Sequence, residues 1–205
     1  MIDYEKELNS EQYRVVMEEG GPLLVLAGAG SGKTRTLTYR VARLLGSGVR
    51  QENILLATFT NKAAHSMLNR VESLIHADTK KIMGGTFHHV AHLFLRTHAH
   101  YIGHKTNFSI VDSEDSRQII SSCMAELKID PKLSKFPKSN VIGEIISLTV
   151  NTQSALDDIL ESRYPFFLHL LHEITQVAAL YEQKKKELAV MDFDDLLNNC
   201  RTLLK

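Results

Sequence analysis

Ala27-Gly28-Ala29-Gly30-Ser31-Gly32-Lys33-Thr34 is the stretch that decides the fold of this chain. It follows the phosphate-loop pattern of four residues and then Gly-Lys-Ser/Thr, with Ala27 where the short pattern has its first glycine. Residues 22–26 before it are continuously apolar, and residues 35–45 after it carry apolar side chains at helical spacing. The sequence therefore predicts a buried parallel strand, then a phosphate-binding loop, then a helix.

The loop contains the groups that hold a nucleotide polyphosphate. Gly28, Gly30 and Gly32 allow backbone N–H groups to turn inward around phosphates, beside the positive N-terminal end of the helix. Lys33 is predicted to bind the β and γ phosphates, and the Thr34 hydroxyl is predicted to bind the Mg²⁺ that bridges them. The alternative is a glycine-rich turn that binds nothing. It is disfavoured because the strand, the spacing, Lys33 and Thr34 all agree.

Composition sets limits on the partners and the compartment. Lys plus Arg and Asp plus Glu number 24 each among 205 residues, so any contact with nucleic acid must come from a local patch. Cys123 and Cys200 lack metal-site spacing and are predicted to be reduced thiols in the core. Without a leader or an apolar run of roughly 20 residues, we expect a cytoplasmic chain that does not enter a membrane.

Two further strand and helix pairs follow the phosphate loop. Residues 53–59 read as a strand that runs into a helix ending at Ile75, and residues 81–87 read as a weaker strand before a helix from His88 to Tyr101. The carboxyl ends of parallel strands meet at one sheet edge, where open α/β sheets bind ligands. Phe59 and Asn61 would stack on and hydrogen-bond a base there, with Lys62 on a phosphate. Residue type alone favours the alternative that Phe59 is core and Asn61 a helix cap.

Single polar residues near these units have two interpretations each. Gln12 lies on a short helix with Asn9 or Ser10 as its cap, and its carboxamide complements the edge of adenine, although most glutamines are simply surface residues. His88 and His92 are one helical turn apart, as two metal ligands would be. No glutamate completes an HExxH motif, so the histidines are interpreted as groove or surface residues rather than a zinc site.

Four segments taken together resemble the Q motif and motifs I, Ia and Ib of the UvrD/Rep-type DNA helicases of superfamily 1. In chain order they are Leu8-Asn9 with Gln12, residues 27–34, residues 58–64 and residues 85–88. Residues 107–112 and 191–197 resemble further segments of the same family, in the same order. The resemblance implies an α/β fold. The implied fold is that of a P-loop NTPase (RecA-like), with a parallel sheet that is incomplete in this chain and an inserted all-helical subdomain.

The resemblance also assigns roles to residues. ATP and Mg²⁺ are implied as cofactors, with Lys33 and Thr34 catalytic and Thr34 on the metal. The implied nucleotide-binding residues are Gln12, Ala27, Gly28, Ala29, Gly30, Ser31, Gly32, Lys33, Thr34 and Arg35. The residues implied to line single-stranded DNA are Thr58, Phe59, Thr60, Asn61, Lys62, Thr86, Phe87 and His88. Phe59 is the foremost stacking residue in this hypothesis, which reverses the preference for a buried Phe59. Ser66 departs from the family, in which many members have Glu there.

The second half of the chain is predicted to be helical. Helices are expected over residues 113–127, 140–150 and 165–188, with a loop over 128–139. By the resemblance, residues 1–111 are subdomain 1A of the P-loop NTPase. Residues 112–205 are the helical subdomain 1B, and its last residues lead back towards 1A. The run Lys184-Lys185-Lys186 is interpreted as a solvated helix end rather than a phosphate contact.

The resemblance implies that the parent is an ATP-dependent DNA helicase. It would move 3′ to 5′ on single-stranded DNA and act at single/double-strand junctions in repair or replication. The family's Asp-Glu strand and its second motor domain have no counterpart before Lys205. We therefore expect the remaining helicase domains to be missing from this chain and the chain alone to be inactive. The alternatives are a self-contained, non-catalytic nucleotide-dependent binding module, and a small-substrate P-loop kinase, for which no acceptor-binding signature exists.

Overall fold

The computed structural model describes residues 2–129 and 135–205. The chain divides into two compact units, Met1–Val90 and Ala91–Lys205. No helix within these described ranges is both long and apolar enough to cross a bilayer. The boundary between the units falls inside one helix, so the proposed division at 111/112 into two subdomains stays a prediction.

The first unit contains two strands and the helices around them. Its elements are α1 (Tyr4–Glu7), α2 (Ser10–Met17), α3 (Lys33–Gly46), a 3₁₀ turn (Gln51–Asn53), β1 (Leu55–Thr58), α4 (Asn61–Ile75), β2 (Met83–Thr86) and the start of α5 (Phe87–His98). The two strands are parallel, with Leu55 opposite Met83 and Thr58 opposite Thr86. Parallel neighbours need a crossover connection, which α4 supplies. The predicted meeting of the turns after these two strands at one sheet edge is confirmed, whereas the predicted parallel pairing of residues 53–59 with a strand before the phosphate loop is wrong.

Local sequence explains where these helices begin and which face they bury. The Asn9 side chain accepts a hydrogen bond from the N–H of Gln12 and caps α2, as one of the two predicted caps. Thr60 caps α4 in the same way, through the N–H of Ala63. The buried residues of α4 recur at intervals of three and four. Two of them, Met67 and Val71, form a core cluster with Val41 of α3, Leu56 of β1, and Ile54 and Ile82, which directly precede the two strands.

Residues 22–26, which the sequence predicts as a buried strand, have no regular secondary structure here. Leu24 is 82 % exposed and Leu26 is 87 % exposed. A parallel strand is stable only beside a partner that takes its backbone hydrogen bonds, and the only partner that β1 has among the described strands is β2. The strand prediction is therefore wrong for this structure. The observed architecture is a mixed helix and strand fold with small parallel sheets.

The second unit is mostly helical. After the end of α5, its elements are a 3₁₀ turn (Ala99–Ile102), β3 (Ser109–Ile110), α6 (Ser113–Glu126), α7 (Ser139–Thr152), α8 (Leu156–Arg163), a 3₁₀ turn (Pro165–Leu170), α9 (Leu171–Leu188), β4 (Val190–Met191) and α10 (Phe193–Leu203). The first two predicted helices are confirmed as α6 and α7. The third is in fact a 3₁₀ turn followed by α9, and α8 was not predicted. The predicted loop over residues 128–139 includes residues 130–134, which lie outside the described residues.

Packed helices build the main core cluster of the second unit, and a short sheet lies beside a second cluster. The main cluster joins α6, α7, α8 and α9 through residues such as Ile120, Ile142, Leu160 and Ile174, each at most 1 % exposed. β3 pairs in parallel with β4, with Ser109 opposite Val190. The predicted helical second half of the chain therefore also contains a strand, β4. Cys123 and Cys200 are buried and free, which confirms the prediction of core thiols.

Candidate functional site

Gly32 joins the phosphate-loop stretch to α3. Its φ is +83°, in the left-handed region that glycine adopts without strain. A Cβ at this position would lie 2.7 Å from Nε2 of Gln12, closer than side-chain atoms pack. The carbonyl of Gly32 accepts the N–H of Thr36 at 2.9 Å, which closes the first turn of the helix. The backbone angle therefore favours glycine here, and a side chain would also displace the end of the Gln12 carboxamide.

Lys33 folds its side chain over the loop. Its Nζ donates to the carbonyl oxygens of Ala27 at 2.9 Å and Gly28 at 2.6 Å. The Ser31 hydroxyl donates to the same Gly28 carbonyl at 2.8 Å. The first turn of α3 carries no acidic residue, so the lysine and the helix N-terminus keep their positive character. These residues fit a polyphosphate, because an ammonium held only by carbonyls is available to an anion.

Gln12 lies against the loop, as the proposed adenine-reading role requires. Its Nε2 donates to the carbonyl of Ser31 at 3.0 Å. Its Oε1 accepts from the N–H of Asn9 at 3.3 Å, which completes a capping box at the start of α2. Both ends of the carboxamide therefore have protein partners, and they attach α2 to the phosphate loop. Recognition of adenine by Gln12 stays a prediction.

Arg35, the last predicted nucleotide-binding residue, has partners that the sequence analysis missed. Its Nη2 donates to the backbone oxygen of Glu7 at 2.7 Å and to the Glu7 carboxylate at 3.2 Å. The guanidinium carbon lies 5.1 Å from the centroid of the Tyr39 ring. The spacing of four residues between Arg35 and Tyr39 on one helix is a signal that could have identified the second contact. Nothing in the polar lead before α2 indicates Glu7.

The predicted DNA-binding residues follow the two strands of the first unit at one edge of the sheet. Thr58 and Thr86 are directly opposite each other in the register. The Thr58 hydroxyl donates to the carbonyl of Thr60 at 2.9 Å, and the Thr86 hydroxyl accepts the N–H of His89 at 3.2 Å. The structure therefore places residues 58–62 and 86–88 side by side. Both threonine hydroxyls bond to the backbone two or three residues further on and so stabilise the turns after the strands.

Phe59 is 92 % exposed at this edge, and Phe87 is 58 % exposed. The alternative that Phe59 belongs to the core is therefore wrong. The alternative that Asn61 caps the helix is wrong as well, because Thr60 is the cap and Asn61 is the first helical residue. Asn61 and Lys62 are both exposed. An exposed aromatic ring flanked by an amide and an ammonium has the chemistry that binds unpaired bases and phosphates.

The two sets of candidate residues both lie within the first unit, but they are attached differently. Residues 58–62 and 86–88 extend from paired strands, whereas residues 27–34 follow the unpaired stretch 22–26. The phosphate loop is held instead by α3 and by the hydrogen bond between Gln12 and Ser31. In the described part of the chain, no three His, Cys, Asp or Glu side chains form a metal cluster.

Lys185 in the second unit contradicts the interpretation of residues 184–186 as a solvated helix end. It is 3 % exposed, and its Nζ lies 2.9 Å from Asp192, 2.7 Å from Asp195 and 2.8 Å from Glu182. Burial opposes its charge, but the three carboxylates outweigh burial and raise the pKa of Lys185. Burial and the neighbouring carboxylates raise the pKa of Asp195 to about 6, although Lys185 acts in the opposite direction. The cluster fixes the turn from α9 to α10.

The fold and the loop define a class of protein: a mixed helix and strand domain with small parallel sheets and a phosphate-loop sequence at the start of α3. Sequence comparison narrows the class. The chain belongs to the UvrD/REP helicase family, whose N-terminal domain matches residues 8–205.

Characterised relatives agree with this assignment. The chain is 39 % identical over 196 residues to the ATP-dependent DNA helicase PcrA of Staphylococcus epidermidis, covering 94 % of this chain and 26 % of the relative. It is 37 % identical over 194 residues to the PcrA of Staphylococcus aureus strain Mu50, covering 93 % of this chain and 25 % of that relative. The chain therefore spans about a quarter of the length of these relatives.

Proposed function

We propose that this chain is the N-terminal part of an ATP-dependent DNA helicase that binds ATP and single-stranded DNA. The parent couples ATP hydrolysis to movement in the 3′ to 5′ direction and to duplex unwinding at single/double-strand junctions in cytoplasmic DNA repair or replication. The observation that carries the proposal is Phe59, 92 % exposed at a sheet edge within the unit that also holds the phosphate loop. An exposed aromatic ring at a sheet edge offers a flat face on which an unpaired base can stack.

The residues of this chain divide the proposed work between them. Lys33, Gly32 and the N-terminus of α3 hold the phosphates, Thr34 holds Mg²⁺, and Gln12 and Arg35 hold the base. Bound Mg·ATP supplies a phosphoanhydride bond whose hydrolysis releases the free energy for movement. Residues 58–62 and 86–88 hold the strand by stacking and phosphate contacts.

The remaining helicase domains belong, in this proposal, to the part of the relatives that the chain does not span. Hydrolysis needs a positioned water and cations around the γ phosphate. Loss of an arginine finger alone reduces the rate on the order of a thousandfold or more. The 205-residue chain is therefore expected to bind nucleotide without turning it over.

The test uses a longer chain that contains the complete helicase. Its ATP hydrolysis should be stimulated by oligo-dT, and Lys33→Ala should reduce the stimulated rate by about a hundredfold or more, since a required phosphate contact is lost. Lys62→Ala is the matched lysine control on the DNA side. It should weaken the dependence on oligo-dT while the rate at saturating DNA is retained. Unchanged hydrolysis in the Lys33→Ala protein would overturn the proposal.

A further inference from the structure

Glu7, Arg35 and Tyr39 form a hydrogen-bonded group in the first unit, which we call the Glu7 cluster. Arg35 Nη2 donates to the Glu7 backbone oxygen at 2.7 Å and to its carboxylate oxygen Oε2 at 3.2 Å. The Tyr39 hydroxyl donates to the same Oε2 at 2.6 Å. Burial and the hydrogen bond to Glu7 raise the pKa of Tyr39, so its hydroxyl keeps the proton that it donates. One carboxylate thus fixes both side chains.

The cluster holds Arg35 in one place although the residue is accessible. The Arg35 and Glu7 side chains are 49 % and 47 % exposed, so without partners the arginine would sample many rotamers. The hydrogen bonds restrain one side of the guanidinium, and the Tyr39 ring lies 5.1 Å from its central carbon. A planar guanidinium that is restrained in this way is prepared to stack against a flat group.

The cluster also attaches the N-terminal helices to the nucleotide loop. Glu7 is the last residue of α1, and α2 begins three residues later with Gln12 on its first turn. Gln12 is itself bonded to the Ser31 carbonyl at 3.0 Å. The N-terminal segment is therefore attached to the loop through Gln12 and to α3 through Glu7, and Arg40 of α3 adds bonds to the carbonyls of Val15 at 2.6 Å and Glu18 at 3.0 Å. Together these contacts fix the positions of the two residues assigned to the base, Gln12 and Arg35.

An open cleft of about 360 Å³ lies beside this cluster. It is lined by Arg35, Thr38, Tyr39, Arg70, Ser73 and Leu74. Space next to the guanidinium lets a planar ligand group approach it. The contacts of the Lys33 ammonium, in contrast, are with Ala27 and Gly28 and not with any residue of the cluster.

We infer that Glu7 and Tyr39 are positioning residues for the base end of the nucleotide, because they hold Arg35 in one place. The inference rests on the proposed function, since it needs a nucleotide in the phosphate loop. The nucleotide site then has two parts with different roles. The cluster governs the affinity for the nucleoside, and the Lys33 loop governs the affinity for the phosphates.

The experiment compares two ligands that share the triphosphate and differ in the nucleoside. Mg·ATP and Mg·tripolyphosphate each displace a fluorescent adenine nucleotide from the 205-residue chain, at a temperature where circular dichroism shows the protein folded. Tyr39→Phe should weaken ATP binding about fivefold, the factor for one lost hydrogen bond. Glu7→Gln removes the carboxylate charge that pairs with Arg35 and should weaken ATP binding to a similar degree, and neither variant should change the binding of tripolyphosphate. Glu5→Gln and Tyr13→Phe, which change the same residue types nearby, should leave both affinities unchanged.

Each other outcome has a defined meaning. Equal loss of both ligands in Glu7→Gln and Tyr39→Phe would indicate a role in folding alone and overturn the inference. Unchanged affinities for both ligands would overturn it too. A wild-type chain that binds neither ligand in a Lys33-dependent manner would overturn the proposed function itself, and this inference with it.

Discussion

The burial and ion pairs of the single residue Lys185 depend on neighbours that lie close in space but are not recognisable from the sequence. Within a run of three lysines it has the composition of a solvated helix end. Its carboxylate partners Asp192 and Asp195 lie beyond a change of chain direction at β4, so no helical spacing connects them to it. Cys123 and Cys200 were predicted as core residues because their helical patterns alone place them there.

Replacing Lys185 should strongly destabilise the second unit. Lys185→Met leaves Asp192 and Asp195 buried without their cation, and breaking a buried ion pair in this way costs about 3–5 kcal/mol. Denaturant titration of the free energy of unfolding measures the effect. Lys186→Met, at the exposed next position, should change that free energy by less than about 0.5 kcal/mol. Equal stabilities of the two variants would contradict the cluster.

Asp195 should titrate near pH 6, because burial raises its pKa to about 6 from an ordinary value of 3.8. The folded state then binds a proton between these values that the unfolded state does not. The stability from this group is therefore present at low pH and lost as the pH rises through 6. The pKa of Asp192 is lowered, so its contribution to stability is instead lost as the pH falls. Carboxyl carbon NMR measures the midpoint, and Asp195→Asn assigns the signal. A midpoint at or below the ordinary value would refute the prediction.

At the scale of elements, local pattern predicted those strands whose partners lie nearby in the chain. β1, α4 and β2 form a continuous unit, so the turns after both strands could be placed at one sheet edge. Residues 22–26 have an equally apolar pattern but no partner among the described strands. The two-residue strands β3 and β4 are too short to show any period. Their pairing depends on residues about eighty positions apart.

The exposure of residues 22–26 leads to a prediction for the 205-residue chain. Leu24→Lys combined with Leu26→Lys should change the free energy of unfolding by less than about 0.5 kcal/mol, because both side chains are already in solvent. Sedimentation should show less self-association at high concentration, since an exposed apolar stretch is removed. Leu56→Lys, in the buried part of β1, is the control that should prevent folding. A loss of several kcal/mol in the double variant would contradict the exposed placement.

At the scale of the whole molecule, the sequence predicted a strand-bearing first part and a helical second part. Both are present, because α6, α7 and α9 have apolar faces that repeat at helical spacing. The boundary between the two compact units falls after Val90, inside α5, and no change in composition marks it. The roles of the phosphate loop and the sheet edge stay predictions. They are assigned by motif chemistry.

We propose that the first unit holds nucleotide and single-stranded DNA through two separate sets of residues. Titrating fluorescent ATP and labelled oligo-dT into the wild-type chain, Lys33→Ala and Phe59→Ala tests it most directly. Lys33→Ala should weaken the affinity for ATP at least tenfold, because a phosphate contact is removed, and leave the affinity for oligo-dT unchanged. Phe59→Ala should leave the affinity for ATP unchanged and weaken the affinity for oligo-dT about tenfold, because a stacked base contributes about 1–3 kcal/mol to binding. Variants that each lose both ligands, or neither, would contradict the claim.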